Sequence, residues 1–246
     1  MLDERVILVT GASRGIGRAI ATRAAAAGAR VVLAARDAKR LAEVAAAIGE
    51  RATAVVCNVR DESACQTLLT RVRDEHGGLD ALVNNAAAMI PGTVEGYATD
   101  DLRLVLDTNV IAPFTLMRDA LPLLEGREGA TIVNILSLAP TVAQPGLGVY
   151  AASKAALLAL TDALREEVRE RGIRVGAILP GSTRTALRRE LGDADGTGDT
   201  GDDWMLDPND VADAVLTMLT MPPRALISRL DVRPVRRKGR PHPPRR

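Results

Sequence analysis

The sequence predicts a single doubly wound α/β domain on a parallel sheet of about seven strands. Short apolar runs alternate with helix-like runs along nearly the whole chain. Those apolar runs are continuous rather than alternating, as in strands covered on both faces. A chain of 246 residues with 47% hydrophobic content suffices for one α/β core, and that core must be aliphatic because aromatics are only 2%. Strand–helix alternation implies right-handed crossovers, and ligands then bind at the carboxyl ends of the strands.

The elements follow in order. VILV (6–9) reads as the first strand, and RAIATRAAAAG (18–28) as a helix stopped by Gly28. RVVLAA (30–35) is the second strand, after which Asp37 offers an N-cap to a helix ending near Gly49. TAVVC (53–57), LDALV (79–83), ATIVNIL (130–136) and IRVGAIL (173–179) follow as strands. Helices of about 61–75, 100–124 and 149–171 lie between them, and a helix at 208–220 precedes a last strand, ALISRLDV (225–232). The domain is expected to span 1–233.

Two segments break the pattern. GDADGTGDTGDD (192–203) holds five Asp and four Gly and cannot bury apolar surface, so 186–207 is expected to be a flexible lid over the substrate. It lacks the spacing and closing Glu of an EF-hand. Residues 234–246 are basic and Pro-rich and read as a disordered tail.

Composition narrows the function. A net charge of +1 gives the domain no strong pull toward nucleic acid or membrane. Cys57 and Cys65 form no metal or redox motif, and His76 and His242 are too few for most zinc sites, so no metal is expected. No apolar run approaches the roughly 20 residues of a membrane helix. The chain passes almost at once into RVILVTG with no leader-like run, and the protein is read as cytoplasmic.

LVTGASRGIGRAI (8–20) puts Gly11, Gly15 and Gly17 between the first strand and the first helix. Glycine lets backbone approach a ligand closely, and N–H groups at a helix N-terminus favour phosphate. Gly11-Ala12-Ser13-Arg14-Gly15 also matches the G-x-S-x-G nucleophile elbow of serine hydrolases. That chemistry needs a histidine base. Neither His76, at a helix end, nor His242, in the tail, suits the part.

TGASRGIG (10–17), NNAA (84–87), Asn109, Ser137, YAASK (150–154) and PGSTRT (180–185) stand in an order that resembles the short-chain dehydrogenase/reductase family, and its 3-oxoacyl-carrier-protein-reductase-like carbonyl reductases in particular. The resemblance covers about residues 5–232 and implies a Rossmann-type fold. Tyr150 and Lys154 are spaced to share a helix face. A free tyrosine has a pKa near 10, and an ammonium nearby favours the ionised phenol. The resemblance makes Tyr150 the general acid/base, gives Lys154 a bond to the nicotinamide ribose, has Ser137 polarise the substrate carbonyl, and has Asn109 hold a water that relays protons to the lysine. It implies cofactor contacts from Gly11, Ala12, Ser13, Arg14, Gly15, Ile16, Gly17, Arg36, Asn58, Val59, Asn85, Tyr150, Lys154, Thr183 and Thr185.

Enzymes selective for NAD commonly end the second strand with an acid on the ribose 2′-OH. Here Ala35 stands at that point, followed by Arg36, with Arg14 in the glycine loop. A carboxylate is absent and cations are present, so NADP(H) is favoured over NAD(H); Asp37 remains an alternative reach to a ribose. The sequence departs from the family where Ala87 replaces a glycine, where Asn58 stands for a commoner Asp, and where the last strand leads into RPVRRKG. The expected activity is NADPH-dependent hydride transfer between nicotinamide and a carbonyl or secondary alcohol. The alternatives are a cofactor-binding regulatory protein without turnover, and binding of nucleic acid or an acidic carrier through the seven Arg/Lys of 233–246. Met89, Ile90, Leu138, Val142 and Leu147 suggest an apolar substrate pocket. A homodimer or homotetramer pairing the 100–124 and 149–171 helices is implied by the resemblance.

Overall fold

The computed structural model describes residues 2–141, 144–185 and 202–236. Val142, most of the expected lid and all but the start of the basic tail lie outside the described residues. Seven parallel strands form one sheet in the order β3-β2-β1-β4-β5-β6-β7. They are β1 (Val6–Thr10), β2 (Arg30–Ala35), β3 (Ala52–Val56), β4 (Ala81–Asn84), β5 (Thr131–Ile135), β6 (Arg174–Pro180) and β7 (Arg229–Val232). The helices are α1 (Gly15–Ala26), α2 (Ala38–Ile48), α3 (Glu62–His76), α4 (Thr99–Leu106), α5 (Ala112–Leu124), α6 (Gly148–Glu167) and α7 (Pro208–Thr220).

The central strand β1 is buried throughout because alternate residues enter different cores. Val6 and Leu8 of β1 join Leu68, Leu116, Leu124 and Leu157 on the face covered by α3, α5 and α6. Ile7 and Val9 join Ile20, Leu41, Val211 and Val215 on the face covered by α1, α2 and α7. The helix ends follow local chemistry. Asp37 accepts a hydrogen bond from Arg40 N at 3.0 Å to start α2, and Gly49 closes it with a φ of 86°. Asp207 and Asp210 form a capping box at α7.

The helix expected over 100–124 is interrupted. α4 and α5 are separated by a π-helical turn, Asp107–Ile111. Pro113 supplies a reason: it has no N–H, so it cannot bond the carbonyl four residues back, which belongs to Asn109. The last strand is also shorter than ALISRLDV, because residues 225–228 belong to a loop gathered by Arg174. That buried side chain donates to the carbonyls of Gly129, Met221, Pro222 and Ala225 and to Thr131 Oγ1. Burial and the charge of Arg5 lower its pKa.

Arg174→Ala is expected to destabilise the protein by about 2–4 kcal/mol, since several buried carbonyls lose their donor. Equilibrium urea unfolding checks this; a change below about 1 kcal/mol would show that water replaces the guanidinium.

Candidate active site

A cleft of about 960 Å³ runs along the carboxyl edge of the sheet. Its floor is the turn between β1 and α1. Gly11 and Gly15 have φ of 65° and 55°, conformations that side chains disfavour. Gly17 is closed in by Asn85 Nδ2 and the Gly11 carbonyl, so a Cβ there would clash. No side chain caps the N-terminus of α1 and no acid lies in its first turn. The turn therefore fits a phosphate-bearing ligand: it lines the cleft at the positive end of α1, with no side-chain cap from its own N-cap residue and no acid in the first turn.

The turn is held from β4. Thr10 Oγ1 accepts from the backbone N–H groups of Asn85 and Ala86, both at 3.0 Å. Asn85 Nδ2 donates back to Thr10 O at 2.8 Å and Gly11 O at 3.3 Å. Asn85 lines the cleft, but its amide is spent on the glycine turn. Thr10 carries no signal in a motif that draws attention to glycines, and sequence reasoning missed it.

Ser137 follows β5, while Tyr150 and Lys154 stand on the first turns of α6, and all three line the cleft. The Ser137 hydroxyl accepts the Ala139 N–H at 3.0 Å and lies by the phenol. Burial pushes the Tyr150 pKa up to about 12, and the Ser137 contact pulls the other way. Lys154 Nζ donates to the Ile135 carbonyl at 2.9 Å and lies 5.8 Å from the centre of the Tyr150 ring. Burial lowers its pKa to about 8. The ammonium is tied to β5, and desolvation is the larger influence on the phenol.

Asn109 lies in the π turn and is fully buried. Its amide clasps Ala88, donating to Ala88 O and accepting from Ala88 N, both at 2.8 Å, and reaches Ser153 Oγ at 3.0 Å. It does not line the cleft, and neither do Ala12 or Gly17, which pack beneath it. The other residues singled out from sequence do: Gly11, Ser13, Arg14, Gly15, Ile16, Arg36, Asn58, Val59, Asn85, Thr183 and Thr185. Arg40, Arg60, Trp204 and Arg233 join them unforeseen. Met89, Leu138 and Leu147 form the expected apolar wall; Ile90 lies outside it. Cys57 and Cys65 are buried and form no disulfide.

The chain matches the family described as short chain dehydrogenase over residues 5–196. It is 31% identical over 236 residues to an uncharacterized oxidoreductase of Staphylococcus aureus strain MW2, covering 96% of this chain and 99% of that protein. Among solved structures, it is similar to a 3-ketoacyl-(acyl-carrier-protein) reductase from Brucella melitensis complexed with NADH, with a TM-score of 0.87, 27% identity, and coverage of 96% of this chain and 99% of that one. A short chain dehydrogenase from Burkholderia cenocepacia in complex with NADP gives a TM-score of 0.84 at 34% identity, covering 94% and 97% of the two chains. The fold and the cleft thus define an oxidoreductase that works with a nicotinamide dinucleotide. More narrowly, the chain belongs to the short-chain dehydrogenase family.

The buried lysine has a measurable consequence. Its pKa falls from 10.5 in the unfolded chain to about 8 in the folded one, a gap of roughly 3 kcal/mol. Between those values the unfolded chain binds more protons, so this group's contribution to stability improves as pH rises; its penalty is complete below about pH 8. Lys154→Met is therefore expected to stabilise the ligand-free protein near neutral pH by about 1–3 kcal/mol, allowing for the lost hydrogen bond. The gain should fade toward pH 10. Urea unfolding at the two pH values measures it, and a variant less stable near neutrality would contradict it.

Proposed function

We propose that the protein is an NADPH-dependent reductase of carbonyl compounds, with the reverse oxidation of secondary alcohols open to it. The observation that carries this reading is the meeting of Ser137, Tyr150 and Lys154 in the same cleft as the glycine turn. When bound, the nicotinamide supplies or accepts the hydride. The glycine turn and α1 would hold its phosphates, Thr183 and Thr185 its ring, and Asn58 and Val59 its adenine.

The side chains then manage one proton. Burial keeps Tyr150 neutral at rest, with a proton at Oη to give to the carbonyl oxygen. The Ser137 hydroxyl, beside the phenol in the cleft, orients that oxygen. The phenolate that remains faces the Lys154 ammonium across 5.8 Å to the ring centre. The Asn109 amide is fully committed to Ala88 and Ser153, so a water relay to the lysine falls to its backbone carbonyl, which Pro113 leaves without an α-helical donor.

Preference for NADPH rests on the β2 end of the cleft. Arg14, Arg36, Arg40 and Arg60 line it, against the single acid Asp37. Asp37 is occupied: it caps α2 and pairs with Arg40 at 3.4 Å. A ribose 2′-hydroxyl thus meets no available carboxylate, whereas a 2′-phosphate meets guanidiniums able to bond it with two parallel N–H groups.

Tyr150→Phe is expected to abolish turnover and leave NADPH binding nearly intact, as read by single-turnover assays alongside nicotinamide fluorescence. Near-normal turnover would remove the tyrosine from its role. Arg36→Ala should weaken NADPH by about ten- to a hundredfold and leave NADH almost unchanged, from the loss of one charge-assisted contact. Comparing kcat/KM for both cofactors decides this; equal losses would mean that Arg36 does not read the phosphate.

A further inference from the structure

The sheet order separates the two ends of the cleft. Arg36, Arg40 and Arg60 follow β2 and β3, whereas Leu138, Trp204 and Arg233 belong to the β5–β7 side. That second end has a chemistry the proton transfer does not use. Trp204, the one tryptophan in the chain, lines the cleft, and its indole Nε1 is buried and without a hydrogen-bond partner among the described residues. Its position is fixed by a short parallel bridge, Thr183 to Leu206, in which Arg184 N donates to Leu206 O at 2.9 Å and Leu206 N to Ser182 O at 3.0 Å. A buried donor left unpaired is costly, and one at the wall of a binding cleft is accounted for when a ligand supplies the acceptor.

Arg233 stands nearby, just beyond β7. Gly181 N donates to Val232 O at 2.8 Å, which sets this stretch beside the segment that follows β6. Arg233 is paired with Asp231 at 3.1 Å, but Asp231 also serves Arg229 at 3.6 Å. One carboxylate between two guanidiniums leaves a surplus positive charge. Among the described residues, Asp37 is the acid that lines the cleft, and it sits at the other end. The β5–β7 end therefore offers an unpaired N–H, a guanidinium and the apolar wall of Met89, Leu138 and Leu147, and among the described residues lining it none is acidic; Asp231, behind Arg233, is shared with Arg229.

We infer that Trp204 and Arg233 determine specificity for a carbonyl compound that carries a carboxylate, the indole N–H and the guanidinium both bonding that group. This rests on the carbonyl-reductase reading above and adds the substrate class to it. The apolar wall covers the body of such an oxo acid, while the charge at the rim favours the acid over its neutral derivatives.

The test compares benzoylformate, benzoylpropionate and benzoylbutyrate, each against its methyl ester, for binding to the full-length protein saturated with NADP⁺. Calorimetry gives the affinities, and Trp204 emission, free of interference from another tryptophan, reports ligand arrival at the indole. At least one acid is expected to bind about tenfold or more tighter than its ester. Arg233→Ala should erase that preference. Trp204→Phe should weaken the acid by about tenfold with NADP⁺ affinity unchanged. The inference is overturned if acids and esters bind alike, if none of them binds, or if Trp204→Phe weakens NADP⁺ and spares the acid. Turnover of the same compounds with NADPH is measured separately. A protein that binds the acids selectively but reduces none of them would refute the carbonyl-reductase reading and leave the carboxylate site standing.

Discussion

Every strand of the sheet points the same way, and the rest of the molecule answers to that constraint. A parallel sheet sends all its carboxyl ends to one edge, so the loops after β1, β2, β3, β4, β5, β6 and β7 share a rim. Residues as far apart in sequence as Gly11 and Arg233 meet there without any long-range device of their own. The opposite edge is left for stability. There Arg5 and Arg174 both donate to the Gly129 carbonyl, and Asp80 accepts the Val6 N–H at 2.7 Å.

Two polar clasps turn that rim into a fixed geometry. The first is Thr10 with Asn85, which sets the glycine turn against β4. The second runs through the sheet: Asn84 Nδ2 donates to Asn134 Oδ1 at 2.9 Å, and Asn134 Nδ2 donates to Thr161 Oγ1 at 2.8 Å. Thr161 lies on α6, two turns beyond Lys154. The helix that carries Tyr150 and Lys154 is thus bound to the strand that supports the glycine turn. All three residues are buried, where a hydrogen bond is electrostatically stronger than in water and an unpaired amide is costly.

The fold was legible because apolar runs and glycines are local signals. The seven strands lie where the apolar runs do, and Asp37 and Gly49 bound α2 as their chemistry requires. What stayed hidden depends on contacts across the chain. Thr10 is an ordinary strand residue until Asn85 is placed beside it. Asn109 looks like a group aimed at the cleft, yet its amide turns to Ala88. The i and i+4 spacing brought Lys154 near Tyr150, but only the packing of α6 on β5 shows that the ammonium goes to a carbonyl. Arg40 and Arg60 are charges with no motif, and Trp204 sits in a segment whose composition suggested nothing but solvent.

The π turn between α4 and α5 also works as a phase device. Relative to an uninterrupted helix it inserts one residue, and one residue is about 100° of rotation. Leu104, upstream of it, and Thr108, within it, face the cleft, while Leu116, Met117, Ala120 and Leu124 face the sheet downstream. A straight helix of the same sequence could satisfy one of these sets but would swing the other away. The irregular turn therefore lets a single continuous rod serve as the wall of the cleft at one end and as a layer of the core at the other, and the missing N–H of Pro113 stands at the joint.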